Sequence, residues 1–374
     1  MLNQYKKRSS GIELLKIIAV FMIMLSHSTP DYGFDTYLPS YFDLNYATTD
    51  IQTIVMIFMK YLGQMGNTIF VVCSAYFLLD SNKARMNKVV SMIADCYLIS
   101  IMYLLAVNVL DINVGPDLTR HSLFPVTYDT NWFVSCYIVF YLLHPVLNKV
   151  IYSLEKKQLL HVMMVLVLFY SVLDTIFTSD NYCYSDLLGF VVIYFIVAYV
   201  KLYLKSTGEK NTSNVICLLL GLVGYAAQIL ITNIVGLRVV AYEDMMLHWN
   251  RFMNPFNILI ALSLFQLFKK LEFTNCIVNY VASFSLLMYV AYENILFRLY
   301  LRPYYYAFAY AYYGNERFAY YAFLLALMSF GVFLVICIGY DVTVRKIWNK
   351  LFYKLYMVLN NAWKRLIDYC VKFD

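Results

Sequence analysis

Lys16 and His27 stand eleven residues apart in one apolar stretch, GIELLKIIAVFMIMLSHST (11–29), with Glu13 three residues before the lysine. In a helix, eleven residues make three turns plus roughly 20°, so the two groups share a face, about 16 Å apart along the axis. Glu13 falls one turn below Lys16 on that face. An imidazole, with an unperturbed pKa of about 6.5, can take a proton from a hydroxyl at neutral pH as that oxygen attacks an acyl carbon. The Lys16 ammonium can meet an anion arriving from its own side, pair with Glu13, or snorkel to the nearer face. His27 is equally open to a structural role, bonded to a neighbouring helix near an interface. Because ionisable groups are costly in lipid, their presence in such a stretch is a functional hypothesis by default.

Roughly 20 apolar residues are enough to cross a bilayer, and the stretch has that length. Hydrophobic residues make up 62% of the chain and charged ones only 14%, at a mean hydropathy of +0.63. Soluble domains carry about 25% charged residues, so the expected class is an all-α integral membrane protein. Apolar segments fall near 11–29, 66–80, 88–110, 131–150, 159–178, 185–204, 214–235, 252–268, 278–300 and 319–340. That predicts about ten transmembrane helices, with 51–62 as an added short helix that Gly63 and Gly66 separate from the second crossing. Lys and Arg concentrate at alternate connections, among them Lys6 to Arg8, Lys83 to Lys88, Lys149 to Lys157, Lys201 to Lys210 and Lys269–Lys270. The opposite set holds only Arg120, Arg238, Arg251, Arg298, Arg302 and Arg317. The positive-inside rule therefore places both termini in the cytoplasm. The basic N-terminus followed by an apolar run has the outline of a signal peptide. Ser28-Thr29-Pro30 is a poor cleavage site, however, and the run is expected to be retained.

Beyond Val342, Ile347, Leu351, Leu355, Val358, Leu359, Ala362 and Leu366 recur at helical spacing, with lysines largely off that stripe. Residues 1–340 thus read as a membrane domain, and 341–374 as a cytoplasmic tail forming an amphipathic helix on the inner leaflet. Eight cysteines sit mostly in apolar segments, and no CxxC pair occurs. Neither a disulfide framework nor a metal site is expected. The net charge of +6 is distributed by topology and implies no nucleic-acid partner.

Four motif regions resemble the membrane-bound acyltransferase-3 family, in the family's order and across about residues 11–340. The first is the basic residue, ten intervening residues and histidine, here Lys16 and His27, where the family more often has Arg. The second is FVVCSAYFLL (70–79) followed by Lys83, Arg85 and Lys88, similar to a Phe-rich helix ending in Ser-Gly-Tyr-Phe-Leu and a basic turn. Ala75 replaces the glycine and Lys88 the second arginine. The third is SLFPVTYDTNWFVSCYIVFYLLHPVLNKVI, within which Asn131 and Trp132 fall at the outer mouth. Trp132 can stack there on a sugar ring or simply join the interfacial aromatic belt. This version is particularly similar to capsular and exopolysaccharide O-acetyltransferases. The fourth, SFSLLMYVAYENILFR, keeps Tyr289, Glu293 and Asn294 in register but has Tyr292 where the family has histidine. A phenol, with a pKa near 10, is a poor base at neutral pH.

The resemblance implies an acetyl-coenzyme A-dependent O-acetyltransferase of the bacterial cytoplasmic membrane. The acceptor would be a hydroxyl of a surface polysaccharide or its lipid-linked precursor, with polysaccharide-assembly proteins as possible partners beside membrane lipid. It implies His27 as the catalytic base and Lys16, Arg85 and Lys88 as donor-binding cations. Arg85 suits a phosphate as a bidentate donor, and Lys88 as a point charge. Glu13, Asn131, Trp132, Tyr292, Glu293 and Asn294 would support or bind substrate. The competing reading from another class is a carrier or flippase for lipid-linked glycans, which would also have many helices and polar intramembrane residues. Such carriers often show internal repeats, and none is evident here.

Overall fold

A computed structural model describes residues 9–29, 44–177, 185–204, 211–303, 306 and 317–371, with side chains at all of these except 351–356 and 367–371. The regular structure in this range is helical. In chain order it comprises α1 (Ser10–His27), α2 (Ile51–Leu78), α3 (Met86–Val109), α4 (Pro116–Leu123) and α5 (Trp132–Ser153). There follow α6 (Lys156–Phe177), α7 (Asp186–Tyr203), α8 (Asn211–Gly236), α9 (Pro255–Lys269), α10 (Cys276–Ala282), α11 (Ser285–Tyr292), α12 (Phe318–Tyr340) and α13 (Lys346–Val371). Among the described residues eight helices are long and apolar enough to cross a membrane, while Pro255–Lys269 and Cys276–Tyr292 are shorter apolar pieces.

The first helix sits at the centre, packed against α2, α9, α10, α11 and α12. Its lower end is tied by Ser10, whose hydroxyl donates to Asn279 Oδ1 at 2.8 Å and accepts from the Asn275 N–H at 2.7 Å. Near its upper end Ser26 donates to the Lys60 carbonyl at 2.6 Å. The predicted interruption at Gly63 and Gly66 does not occur, because α2 runs unbroken from Ile51 to Leu78. These glycines serve close helix approach: a Cβ at Gly63 would stand 2.5 Å from Ser26 Oγ, and one at Gly66 2.6 Å from the Ala19 carbonyl oxygen. Without a hydrophobic drive between helices in lipid, such small-residue contacts carry the packing. Gly66→Val is therefore expected to separate α1 from α2, since the obstructing atom is backbone and cannot rotate away. The measurement is folded yield in the membrane fraction by fluorescence-detected size exclusion, which should fall several-fold.

The predicted span 278–300 also differs. It is broken at Glu293–Asn294, between α11 and a π-helical turn, Phe297–Leu301. The Asn294 side chain explains the break, since it accepts the Leu296 N–H at 3.0 Å and so caps the next helical piece. Asn148 of α5 donates to the carbonyls of Leu78 at 3.0 Å and Ser81 at 2.9 Å. It also accepts from the Tyr194 hydroxyl. These bonds hold the turn that leads to Arg85 and Lys88.

The tail continues α12 through a π-helical turn, Asp341–Arg345, and packs against α3. Ile347, Met357, Val358 and Leu366 are exposed along it. Cys183 and the side chain of Cys370 lie outside the described residues. The orientation read from the charge pattern is tested on them: a membrane-impermeant thiol reagent with access to the outer face should label Cys183 and spare Cys370.

Candidate active site

His27 is the last residue of α1, and its Nδ1 lies 2.8 Å from the Ile23 carbonyl oxygen and 3.3 Å from Glu293 Oε1. Both neighbours are acceptors, so the neutral ring is assigned the proton on Nδ1, which leaves the basic lone pair on Nε2. The side chain is 27% exposed, against 8% for Glu293. Glu293 follows the last turn of α11 and is anchored by Arg302, whose Nη2 donates at 2.5 Å to Oε1, the same oxygen that faces His27. The same nitrogen donates to the Tyr292 carbonyl. The guanidinium also stands 4.3 Å from the centre of the Tyr292 ring, a favourable face for a cation.

Tyr292, at the position where the resemblance leads one to expect histidine, is fully buried and works as a tie. Its hydroxyl lies 3.3 Å from the Met24 carbonyl of α1, and it shares a hydrogen bond with the Tyr306 hydroxyl. Its ring centre is 6.1 Å from that of His27. Asn294 donates to Ser100 Oγ at 2.9 Å, and Tyr103 donates to the Ala291 carbonyl at 2.9 Å, so α3 clamps the break from behind. Tyr292→Phe should remove two buried links and cost about 1–3 kcal/mol, because the Met24 carbonyl and the Tyr306 hydroxyl each lose a partner. A lowered unfolding midpoint in detergent would register it. Tyr292→His, which restores a polar ring, should retain activity better than Phe.

Below this cluster lies a cavity of about 490 Å³, within the usual range for small-molecule sites. Asn87, Lys88, Ser91, Met92 and Asp95 of α3 form one wall; Ser283, Leu286, Leu287 and Val290 form another, with Val134 of α5 between them. Arg345 and Asn349, from the C-terminal segment, complete it. Val290 is three residues short of Glu293, about 4.5 Å along a helix axis, so the upper lining reaches to about one turn below the carboxylate. The bond from Asn294 to Ser100 marks the level of the Glu293 break on α3. Lys88 lies twelve residues earlier, about 18 Å along that axis, and Asp95 five residues earlier, about 7.5 Å.

The structure gathers His27, Tyr292, Glu293 and Asn294, which the sequence singles out, into one polar cluster, and sets Lys88 in the cavity. Lys88 Nζ is 3.2 Å from the Tyr137 hydroxyl and 4.6 Å from the Tyr141 ring centre, and it pairs with no carboxylate among the described residues. Arg85 is exposed; its N–H bonds the Tyr141 hydroxyl at 3.1 Å, and it does not line the cavity. Lys16 also stays off the cavity wall and pairs with Glu13 at 3.2 Å. Asn131 is buried at the start of α5, with neither side-chain atom bonded among the described residues. Trp132 packs against Phe133 and Phe252, 5.6 and 5.9 Å between ring centres.

Three functional candidates lie outside the sequence reading: Arg302, Tyr306 and Arg345. Arg302 reads in the sequence as one of six outer-loop arginines, and its only signal is its place in an aromatic-rich run just after an apolar span. It is 1% exposed, a burial that an arginine keeps only when paired.

Neither the curated proteins nor the solved structures contain a match to this chain. The model of the acyltransferase-3 family, described as an acyltransferase domain, matches residues 9–341. With most of its length matched, and eight described helices long and apolar enough to cross a membrane, the chain belongs to the acyltransferase-3 family.

Proposed function

We propose that the protein transfers an acetyl group from acetyl-coenzyme A to a hydroxyl of a cell-surface polysaccharide or its lipid-linked precursor. Membership of an acyltransferase family supports acyl transfer in general. The observation that carries the reading further is the chain Arg302–Glu293–His27, in which a buried, cation-anchored carboxylate faces the Nδ1 side of a part-exposed imidazole. That is the arrangement of a general base held by an orienting carboxylate. In this reading His27 Nε2 takes the acceptor hydroxyl's proton as the oxygen attacks the thioester carbonyl. The carbon–sulfur bond then breaks and the thiolate leaves.

The donor's thin arm would rise from the cytoplasmic side through the cavity, past α3 and α11, while the acceptor approaches His27 from the outer side. Lys88 would meet the donor's phosphate at the mouth, its ammonium having no carboxylate to neutralise it among the described residues. Arg85, exposed nearby, would attract the nucleotide end. Lys16, coupled to Glu13, would hold the inner half of α1.

The test uses membranes from cells with and without the gene, supplied with acetyl-coenzyme A labelled in the acetyl group. Label should enter polysaccharide only where the protein is present. Equal labelling in both preparations would remove the reading.

A further inference from the structure

Resting on the donor reading above, we infer that Arg345 holds the middle of a phosphopantetheine arm. The donor is thereby recognised along its arm as well as at its charged end. Arg345 lies beyond the residues that the family model matches, in the turn that joins α12 to the tail.

Two observations assign the arm to it. The first is charge. Arg345 already faces two carboxylates, Asp95 Oδ2 at 2.9 Å and Asp341 Oδ1 at 3.2 Å. Those bonds use one hydrogen on each terminal nitrogen, and a guanidinium has five N–H donors. The remaining donors belong to a cation that is already neutralised, which suits a neutral amide carbonyl better than an anion. Lys88, with no carboxylate partner among the described residues, is the group in this cavity suited to an anion.

The second is distance. Between the phosphorus and the sulfur of phosphopantetheine run about thirteen bonds, roughly 15 Å at the reach of an extended chain. The Lys88 position lies about 18 Å along α3 below the level of the His27–Glu293 cluster, so a phosphate at the Lys88 side chain brings the thioester near His27. Asp95, and Arg345 bonded to it, stand between the two at about 7.5 Å below the cluster. That is where the arm carries its amides. Leu286, Leu287 and Val290 then face its apolar methylenes.

The test measures binding to the purified full chain in nanodiscs with three probes: acetyl-coenzyme A, S-acetyl-4′-phosphopantetheine and S-acetylpantetheine. Arg345→Met alone would strand Asp95 in the interior. The variant is therefore Asp95→Asn with Arg345→Met, which keeps a polar partner for the Tyr340 hydroxyl, now 3.0 Å from Asp95. It should weaken all three probes alike, by about 10- to 100-fold, the worth of a hydrogen bond from a charged group. Lys88→Met should weaken only the two probes that carry phosphate. If the double variant does not accumulate, Arg345→Lys, which keeps the pair but loses the fork, should weaken all three several-fold. Unchanged binding of S-acetylpantetheine in the Arg345 variants overturns the inference and leaves the donor reading standing. So does a loss confined to the phosphate-bearing probes. Failure of the wild-type protein to bind any probe removes the donor reading and the inference with it.

Discussion

His27→Gln is expected to reach the membrane in wild-type amount and to transfer acetyl groups 10²- to 10⁴-fold more slowly. That range is the usual worth of a positioned general base. Glutamine approximates the size of the imidazole and can still donate to the Ile23 carbonyl and Glu293, so the end of α1 keeps its bonds. What it lacks is a basic nitrogen where Nε2 stands. His27→Ala should lose as much activity while also opening a gap at the cluster. Transfer of labelled acetyl to polysaccharide, normalised to the protein in the membrane fraction, is the readout. A structural histidine gives the opposite pattern: glutamine mostly active, with losses that follow abundance.

The second large effect concerns Arg302 and Glu293, and it separates folding from chemistry. Arg302→Met removes the cation from a carboxylate that is 8% exposed. Breaking a buried pair by taking one partner away commonly costs about 3–5 kcal/mol, because the other charge stays buried and uncompensated. The variant should accumulate poorly and unfold at a lower temperature. Glu293→Gln leaves the Arg302 guanidinium buried without its counter-charge and so also costs stability, but less than Arg302→Met, since the amide oxygen and the Tyr292 carbonyl still accept from it. Its activity should nonetheless fall, on the order of 10²-fold, as the imidazolium formed during proton transfer loses the carboxylate that stabilises it. The loss should be smaller than for His27→Gln, because the Ile23 carbonyl, 2.8 Å from Nδ1, still orients the ring. Thermal unfolding and transfer rate measured on the same preparations distinguish the two variants. Equal abundance and activity for Arg302→Met would show that the ion pair is dispensable.

Much of this site is legible in the chain because its parts lie on regular spacing. His27 and Glu13 are placed by the period of one helix, and Glu293–Asn294 by a recognisable run. Their pairing is not legible in that way. His27 meets Glu293 across 266 positions, and neither local pattern specifies the other. Gly63 and Gly66 show a second limit. A glycine in an apolar run reads as a breaker by its backbone freedom, yet here it admits the neighbouring helix, a tertiary demand with no local signature. Asp95 shows a third. Its cost in lipid signals that a partner exists, and Lys88, two turns away, is the nearest candidate in sequence. The partner is instead Arg345, supplied by the tail at 2.9 Å.

The expected orientation rests on loop charge alone and needs no contact, whereas the cavity arises only when α3, α5, α11 and the tail are assembled. Its polar mouth and apolar upper lining therefore have no counterpart in any single segment. The substitution of Tyr292 for histidine illustrates the same point within the site. The phenol cannot serve as a base, but its hydroxyl reaches the Met24 carbonyl and Tyr306, and so braces the end of α1 that carries His27.

The central claim, acyl transfer to a surface glycan, is tested most directly by proton NMR of the polysaccharide isolated from cells with and without the gene. The account predicts polymer of unchanged amount and backbone whose O-acetyl signals disappear on deletion and return on complementation. Polymer that keeps every O-acetyl signal, or that no longer reaches the surface, would contradict it.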